Sequence, residues 1–217
     1  MKTVLRFSSL LLALAVLPAA AGPGTGFVPL FNGKDLAGWT YGASGKGHGK
    51  GYQVDKGVLY STHEDGGNLF SEKEYGDFTL RFEFRLTANA NNGIAIRAPL
   101  LGDSAYVGME IQILDDTGSD YRSLHPEQYH GSIYDVVAAR RGSLKPVGQW
   151  NEEEIRASGR HIVVTVNDKV VVDANLDDIK DAAVLKKHPG LANARGHLCF
   201  RGHGSRVEFR NIRIREP

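Results

Sequence analysis

The sequence holds a single cysteine, Cys199, so no internal disulfide can form. A domain without cross-links is held by its core, and a chain of about 200 residues is long enough to bury one. Net charge is also missing: 26 Lys and Arg stand against 25 Asp and Glu. That balance excludes the broad basic field that holds nucleic acid. After the N-terminal segment no apolar run is long enough for a membrane-spanning helix. Several motifs are absent as well. There is no HExxH and no Cys/His cluster, which removes the common zinc sites. There is no GxSxG, no P-loop and no G-x-G-x-x-G after a strand. The glycine-rich stretch at 47–51 has no helix after it to receive a phosphate.

What is present begins with a leader. Lys2 and Arg6 form a basic start, Leu10 to Leu17 an apolar core, and Ala19-Ala20-Ala21 a small-residue cleavage site. This reads as a secretory signal peptide over residues 1–21, leaving 22–217 as one domain. The apolar run is too short for a span, so the mature protein is expected to be exported, periplasmic or extracellular. No cysteine near the end of the leader offers a lipid anchor.

Period two dominates the rest. Phe78, Leu80, Phe82, Phe84 and Leu86 alternate with Thr79, Arg81, Glu83 and Arg85, the pattern of a strand with one buried face. Residues 161–173 read as a hairpin turning at Asn167-Asp168-Lys169. In 206–215 the apolar parity slips between Phe209 and Ile212, which predicts a bulge near Arg210-Asn211. Shorter strands are expected at 51–54, 57–61, 93–98, 106–113 and 196–201. Residues 177–187, acidic first and lysine-rich last, are the one expected helix. The 26 glycines fit many turns. Many short strands with at most one short helix predict an all-β, two-sheet antiparallel sandwich. The loop at 42–51 is too short to separate domains.

The most informative strand is Met109-Glu110-Ile111-Gln112-Ile113-Leu114-Asp115-Asp116. Met109, Ile111 and Ile113 share one face, Glu110 and Gln112 the other. A bulge at Ile113-Leu114 would bring Asp115 onto the polar face. Such a face could bind a polyhydroxylated ligand, supply acid/base chemistry, or simply meet water. Its i, i+2, i+5 spacing resembles, weakly, the carboxylate strand of jelly-roll β-glucan hydrolases, which carry glutamate at both ends. Arg97 alternates against Ile94 and Ile96 and could project into the same cleft, or form a surface salt bridge. His130 and His203 sit beside glycines in loops and could act as acid, base or metal ligand. The other histidines show no paired metal spacing. Trp39 and Trp150 could stack on sugars, but core positions suit them better. Cys199, in an apolar stretch, reads as a buried inert thiol.

The ordered motifs carry a resemblance. Leu30-Phe31-Asn32-Gly33-Lys34-Asp35-Leu36-Ala37-Gly38-Trp39 opens the chain after the leader. Asn92-Gly93-Ile94 with Arg97, the strand at Glu110, and Gly131-Ser132-Ile133-Tyr134 follow. Gly148-Gln149-Trp150-Asn151, Val166-Asn167-Asp168-Lys169 and Gly202-His203-Gly204 with Val207-Glu208-Phe209 close it. Together, from Phe27 to Glu216, they resemble the 3-keto-disaccharide hydrolase family. Asn167-Asp168 stands where Asn-Gly is common, which affects only a turn.

The resemblance implies a concanavalin A-like jelly roll with a ligand cleft on one sheet, and cleavage of glycosidic bonds in sugars oxidised at C3. A ketone at C3 acidifies the C2 proton. Its removal gives an enolate, the C1 leaving group departs, and water addition completes net hydrolysis. That route does not need the carboxylate pair of ordinary glycosidases. On this basis Glu110 or His130 is the base, Arg97 or a bound divalent cation polarises the ketone, and His203 assists the leaving group. Asn92, Gln112, Asp115 and Tyr134 are expected to bind hydroxyls. Partners would be a 3-keto-glucoside or disaccharide and a sugar 3-oxidoreductase that supplies it. Two other readings stay open: a non-catalytic carbohydrate-binding jelly roll, and an ordinary glycosidase using Glu110 and Asp115 on unoxidised glucans.

Overall fold

The computed structural model describes residues 26–42, 50–62 and 67–217. The expected leader at 1–21 and most of the 42–51 loop lie outside the described residues. In chain order the strands are β1 (Val28–Pro29), β2 (Trp39–Tyr41), β3 (Tyr52–Asp55), β4 (Val58–Ser61), β5 (Asn68–Tyr75), β6 (Phe78–Leu86) and β7 (Asn91–Ala98). A one-turn helix α1 (Ser104–Val107) leads into β8 (Met109–Leu114). After a long connection come β9 (Trp150–Ser158), β10 (His161–Val166), β11 (Lys169–Asn175), helix α2 (Ala182–Lys187), β12 (Gly196–Gly202) and β13 (Val207–Arg215).

Two antiparallel sheets form a jelly-roll sandwich. The larger runs β11-β10-β9-β6-β13-β4-β3, with β1 added to β13; the smaller runs β2-β5-β12-β7-β8. The core lies between them. β6 contributes all five of its alternating apolar residues, β8 its Met109, Ile111 and Ile113, and β7 its Ile94 and Ile96. Phe200 of β12 sits at the centre, edge-on to Trp39 at 5.3 Å and to Phe209 at 4.8 Å between centroids. Trp39 is therefore a core residue. Trp150 lies partly exposed between the Arg85 and Arg210 guanidinium groups. No helix among the described residues is long and apolar enough to cross a membrane.

Turn chemistry follows the sequence. Asn167 and Asp168 take φ of 47° and 65°, the left-handed pair that a tight β10–β11 hairpin requires and that Asn and Asp tolerate. The bulge in β13 falls where expected: Arg210 pairs with Glu83 but Arg213 with Arg81, and Asn211 has φ of 52°. Two expectations need correction. Residues 106 and 107 are not strand; α1 occupies 104–107 because Asp103 accepts a hydrogen bond from the Ala105 N–H and caps it. Over 177–187 only Ala182–Lys187 is α-helical, capped by Asp181. The described residues thus hold two short α-helices where at most one was expected; α1 is a single turn, too short to show a helical period.

A third difference concerns Arg97. On β7 the outer face carries Gly93 and Ala95, and simple alternation would add Arg97. The pairing slips instead: Ala95 faces Cys199 but Ala98 faces His197, and Arg97 adopts φ of 51°. The slip puts Ala98 on the outer face beside Phe70 and Cys199, and turns Arg97 into the fold at 1% exposure. Its guanidinium donates to the Gly76, Gly159 and Asn193 carbonyls at 3.0, 2.8 and 3.4 Å, and to Asp77 Oδ1 at 3.2 Å. One side chain thereby ties three turns together. Arg97→Met, which keeps the stem but orphans these acceptors, should cost about 3 kcal/mol of stability. Urea unfolding checks this, and an unchanged midpoint would refute the clamp.

Candidate active site

β8 presents Glu110 and Gln112 outward because its apolar residues take the inner positions. Across the sheet, Gly93 of β7 pairs with Gln112 on one side and with Arg201 of β12 on the other. Glu110 is 3% exposed, and its Oε2 lies 3.3 Å from Arg201 Nη1. The same nitrogen donates to Asp103 Oδ1 at 2.8 Å. Burial works against the Arg201 charge, but the neighbouring Glu110 and Asp103 outweigh it and raise its pKa. Glu110 Oε1, Gln112 Oε1 and Arg201 Nε are buried with no hydrogen-bond partner among the described residues. A buried polar atom left unpaired costs about 1–3 kcal/mol. Three together on one floor mark a place that an exchangeable polar molecule fills.

Walls rise around this floor to enclose a cleft of about 170 Å³. Tyr106 comes from α1, and Tyr121, Leu124, Gln128 and Tyr134 from the 115–136 connection. That connection returns along the outer edge of β8. Gly131 N donates to Gln112 O, Gln112 N to Ser132 O, and Tyr134 N to Glu110 O, at 2.8–3.0 Å. The motif at 131–134 is therefore an edge segment that delivers Tyr134 beside Glu110. Burial raises the pKa of Tyr121 and Tyr134, which keeps both phenols protonated as donors. Tyr106 is backed by the His188 ring at 5.0 Å and by Lys187, which also pairs with Asp135 at 2.6 Å. His203 stands at the mouth, Nε2 3.9 Å from Glu110 Oε1, a distance one water can bridge. A larger groove of about 330 Å³ lies on the outer face of the other sheet. Its Arg81 and Glu83 are already paired, with Glu154 at 2.5 Å and Arg210 at 2.7 Å.

Of the expected site residues, Glu110, Gln112, Tyr134 and His203 meet in the cleft. The other four do not. Arg97 is the structural clamp described above: although it lies two residues from Ala95, the partner of Glu110, its guanidinium is turned away from the outer face onto the Gly76, Gly159 and Asn193 carbonyls. Asn92 points inward between the sheets, bonded to Tyr52 Oη and Ser61 Oγ. The bulge at Ile113-Leu114 that would have brought Asp115 onto the polar face does not form, since Leu114 pairs regularly with Asn91. Asp115 leaves the sheet and organises a turn, accepting from Asn89 N, Thr117 N and Thr117 Oγ1.

His130 is buried in the core, stacked on Phe84 at 5.0 Å. Its Nδ1 accepts from Leu114 N at 3.1 Å, which assigns the proton to Nε2, 3.3 Å from Glu153 Oε2. Both His130 and Glu153 are thus absent from the cleft. Cys199 is buried, and that burial pushes its thiol up to about 12, as expected of an inert cysteine.

Among the described residues no three His, Cys, Asp or Glu side chains converge as a metal-ligand set. A divalent ion at Glu110 would find Glu110 Oε1, the unpartnered Gln112 Oε1 and the His203 imidazole. The Arg201 guanidinium against the other carboxylate oxygen opposes a second positive charge there.

Sequence reasoning missed Arg201, Asp103 and the tyrosines 106 and 121. Arg201 shares parity with Cys199 on β12 and could have been read as outward-facing beside the glycine of β7. The two tyrosines lie on α1 and in the 115–136 connection and carry no joint signal.

Comparison with known proteins bears on the family and the fold. The model of the 3-keto-α-glucoside-1,2-lyase-like domain matches residues 26–215. A 3-keto-disaccharide hydrolase of Bacteroides thetaiotaomicron is 24% identical, over 88% of this chain and 78% of its own. A solved structure from Parabacteroides distasonis, provisionally assigned as a glycosyl hydrolase, superposes with a TM-score of 0.75 at 27% identity, covering 88% of this chain and 99% of that one. A carbohydrate-binding module of Bacillus subtilis shares the fold alone, at 13% identity and a TM-score of 0.53, covering 82% of this chain and 96% of its own.

The placement of His130 has a measurable consequence. His130→Ala leaves Glu153 and the Leu114 N–H buried and unpaired, and should cost about 3–5 kcal/mol. Burial raises the Glu153 pKa above 4.5 despite the His130 contact. The folded state then binds more protons than the unfolded chain, so stability should fall as pH rises from about 4.5 through the folded value. Glu153→Gln should remove that decline and be neutral or stabilising at pH 7. Unfolding curves at pH 4, 5.5 and 7 check both; a decline that persists in Glu153→Gln would refute the assignment.

Proposed function

Because the chain belongs to the 3-keto-α-glucoside-1,2-lyase-like domain family, we propose that it is a glycosidic-bond-cleaving enzyme acting on 3-keto-glycosides. The observation that carries this reading is the buried Glu110 carboxylate, one oxygen unpartnered in the cleft and the other against Arg201. A base that must take a carbon-bound proton needs an oxygen open to substrate and shielded from bulk water. In the proposed reaction Glu110 Oε1 takes the C2 proton. The electrons of that bond form the C2–C3 enolate, and Arg201, in place of Arg97, stabilises the charge on the C3 oxygen. The enolate re-forms the ketone and its C2 electrons make a C1=C2 double bond as the C1–oxygen bond breaks, and the leaving oxygen takes a proton delivered from the mouth, where His203 stands. Water then adds across that double bond, its hydroxyl at C1 and a proton at C2. Gln112 and Tyr134 would hold hydroxyls.

This route suits a cleft with one uncommitted carboxylate. An ordinary glycosidase needs a second carboxyl across the scissile bond. Asp115 is occupied by its turn, and Asp103 both caps α1 and pairs with Arg201. The three cleft tyrosines supply the apolar walls that a sugar ring packs against. We further propose export by the leader at 1–21, and a sugar 3-oxidoreductase as the source of substrate, since C3 must be oxidised before elimination can begin.

The test is release of a chromogenic leaving group from a 3-keto-glucoside and from the unoxidised glucoside, with and without chelator. Release is expected from the keto sugar alone and should survive chelation. Glu110→Gln should lower kcat by at least about 10³-fold, and Arg201→Met by about 10²–10³-fold. His203→Ala should lower it about tenfold or more for poor leaving groups and less for good ones. Release from the unoxidised sugar would replace this reading with an ordinary glycosidase. Binding without release from either would replace it with a carbohydrate-binding module.

A further inference from the structure

The position of the Glu110 carboxylate depends on a residue with no side chain. Along the strands Glu110 stands opposite Ala95, one row away from Arg201, whose β7 partner is Gly93. To reach Arg201 the carboxylate has to lean diagonally across β7 and settle in the space between Arg201 and Gln112. That space is the missing side chain of Gly93. A Cβ built on Gly93 would lie 1.9 Å from Glu110 Oε1, 2.7 Å from Cδ and 2.8 Å from Cγ. These contacts are impossible, so any side chain at position 93 displaces the carboxylate. The displaced group is the far end of a flexible side chain, while β7 itself is fixed by ladders on both sides.

We infer that Gly93 is the positioning residue of the site, its bare backbone forming the seat that holds the Glu110 carboxylate against Arg201. Nothing else explains a glycine there. Gly93 is not among the residues with positive φ, and a glycine within a strand lacks side-chain packing and weakens it. Close approach by another group is the remaining physical reason for its presence. The inference rests on the proposed role of Glu110 for its catalytic consequence. The seat itself is a packing relation and can be read without any activity.

Two measurements on the purified protein test it. In the first, Gly93→Ala should retain its cooperative unfolding and lower kcat on the 3-keto-glucoside about 10²-fold, the scale of a misplacement near 1 Å, with KM changed about threefold or less. In the second, a double-mutant cycle compares Gly93→Ala alone and in the presence of Glu110→Ala. With Glu110 present the substitution should lower Tm by several degrees. With Glu110 truncated, Tm should hold or rise, because the crowding partner is gone and alanine restricts the unfolded chain. Equal Tm changes in both backgrounds would overturn the seat, and so would a kcat for Gly93→Ala within about threefold of the parent. If the parent does not cleave the keto sugar, the proposed function fails, and the cycle still decides whether Gly93 seats Glu110.

Discussion

An acid and a base are buried together on the outer face of the smaller sheet, and the rest of the site is arranged around them. Glu110 and Arg201 lie 3.3 Å apart, both nearly inaccessible, on a face that in a two-sheet sandwich ordinarily meets water. Such a pair is poor evidence of stability, because desolvation offsets most of the attraction. Three polar atoms of the floor also lack partners. A purely structural face would have resolved these costs with apolar side chains. Their persistence is what makes the cleft a candidate for chemistry.

The pair depends on walls that exclude water, and the walls depend on tethers elsewhere. The 115–136 connection has little regular structure. It is held by the turn at Asp115, by His130 N donating to Asp116 Oδ1, and by His130 Nδ1 accepting from Leu114 N. His130 thus serves the cleft from inside the core, by fixing the loop that carries Tyr121 and Tyr134. On the opposite wall, α2 ends in Lys187 and His188, which back Tyr106. Burial, with Lys187 beside it, lowers the His188 pKa and keeps that ring neutral against the tyrosine.

Much of the fold was legible because it is written in parity. The alternation in β6, the slip in β13 and the Asn-Asp turn of the β10–β11 hairpin each have a local cause and appear where expected. β9 was hidden by composition: in Asn151-Glu152-Glu153-Glu154-Ile155 three consecutive glutamates mask an inward series that includes the buried Glu153. At the site, the outward pair Glu110 and Gln112 was legible for the same reason of parity. Arg97 was misplaced because a bulge breaks the alternation just before it. His130 and Asn92 were misplaced because a polar residue is ordinarily assigned to a wet face, whereas here the interior takes both, Asn92 through Tyr52 and Ser61 and His130 through the Leu114 N–H and the Glu153 carboxyl. Arg201 went unnoticed because its meaning comes from β8 and β7, distant in sequence.

The central claim is that cleavage begins at the C2 proton, with the glycosidic bond breaking by elimination. A 3-keto-glucoside carrying deuterium at C2 tests it most directly, turned over by the native protein in ordinary water. Proton removal by Glu110 predicts a primary isotope effect on the chemical step in single-turnover measurement, and loss of deuterium from the released sugar wherever the base exchanges with solvent before water adds. A released sugar that keeps its C2 deuterium, turned over with no isotope effect on the chemical step in single-turnover measurement, would show direct displacement at C1 and would contradict the account.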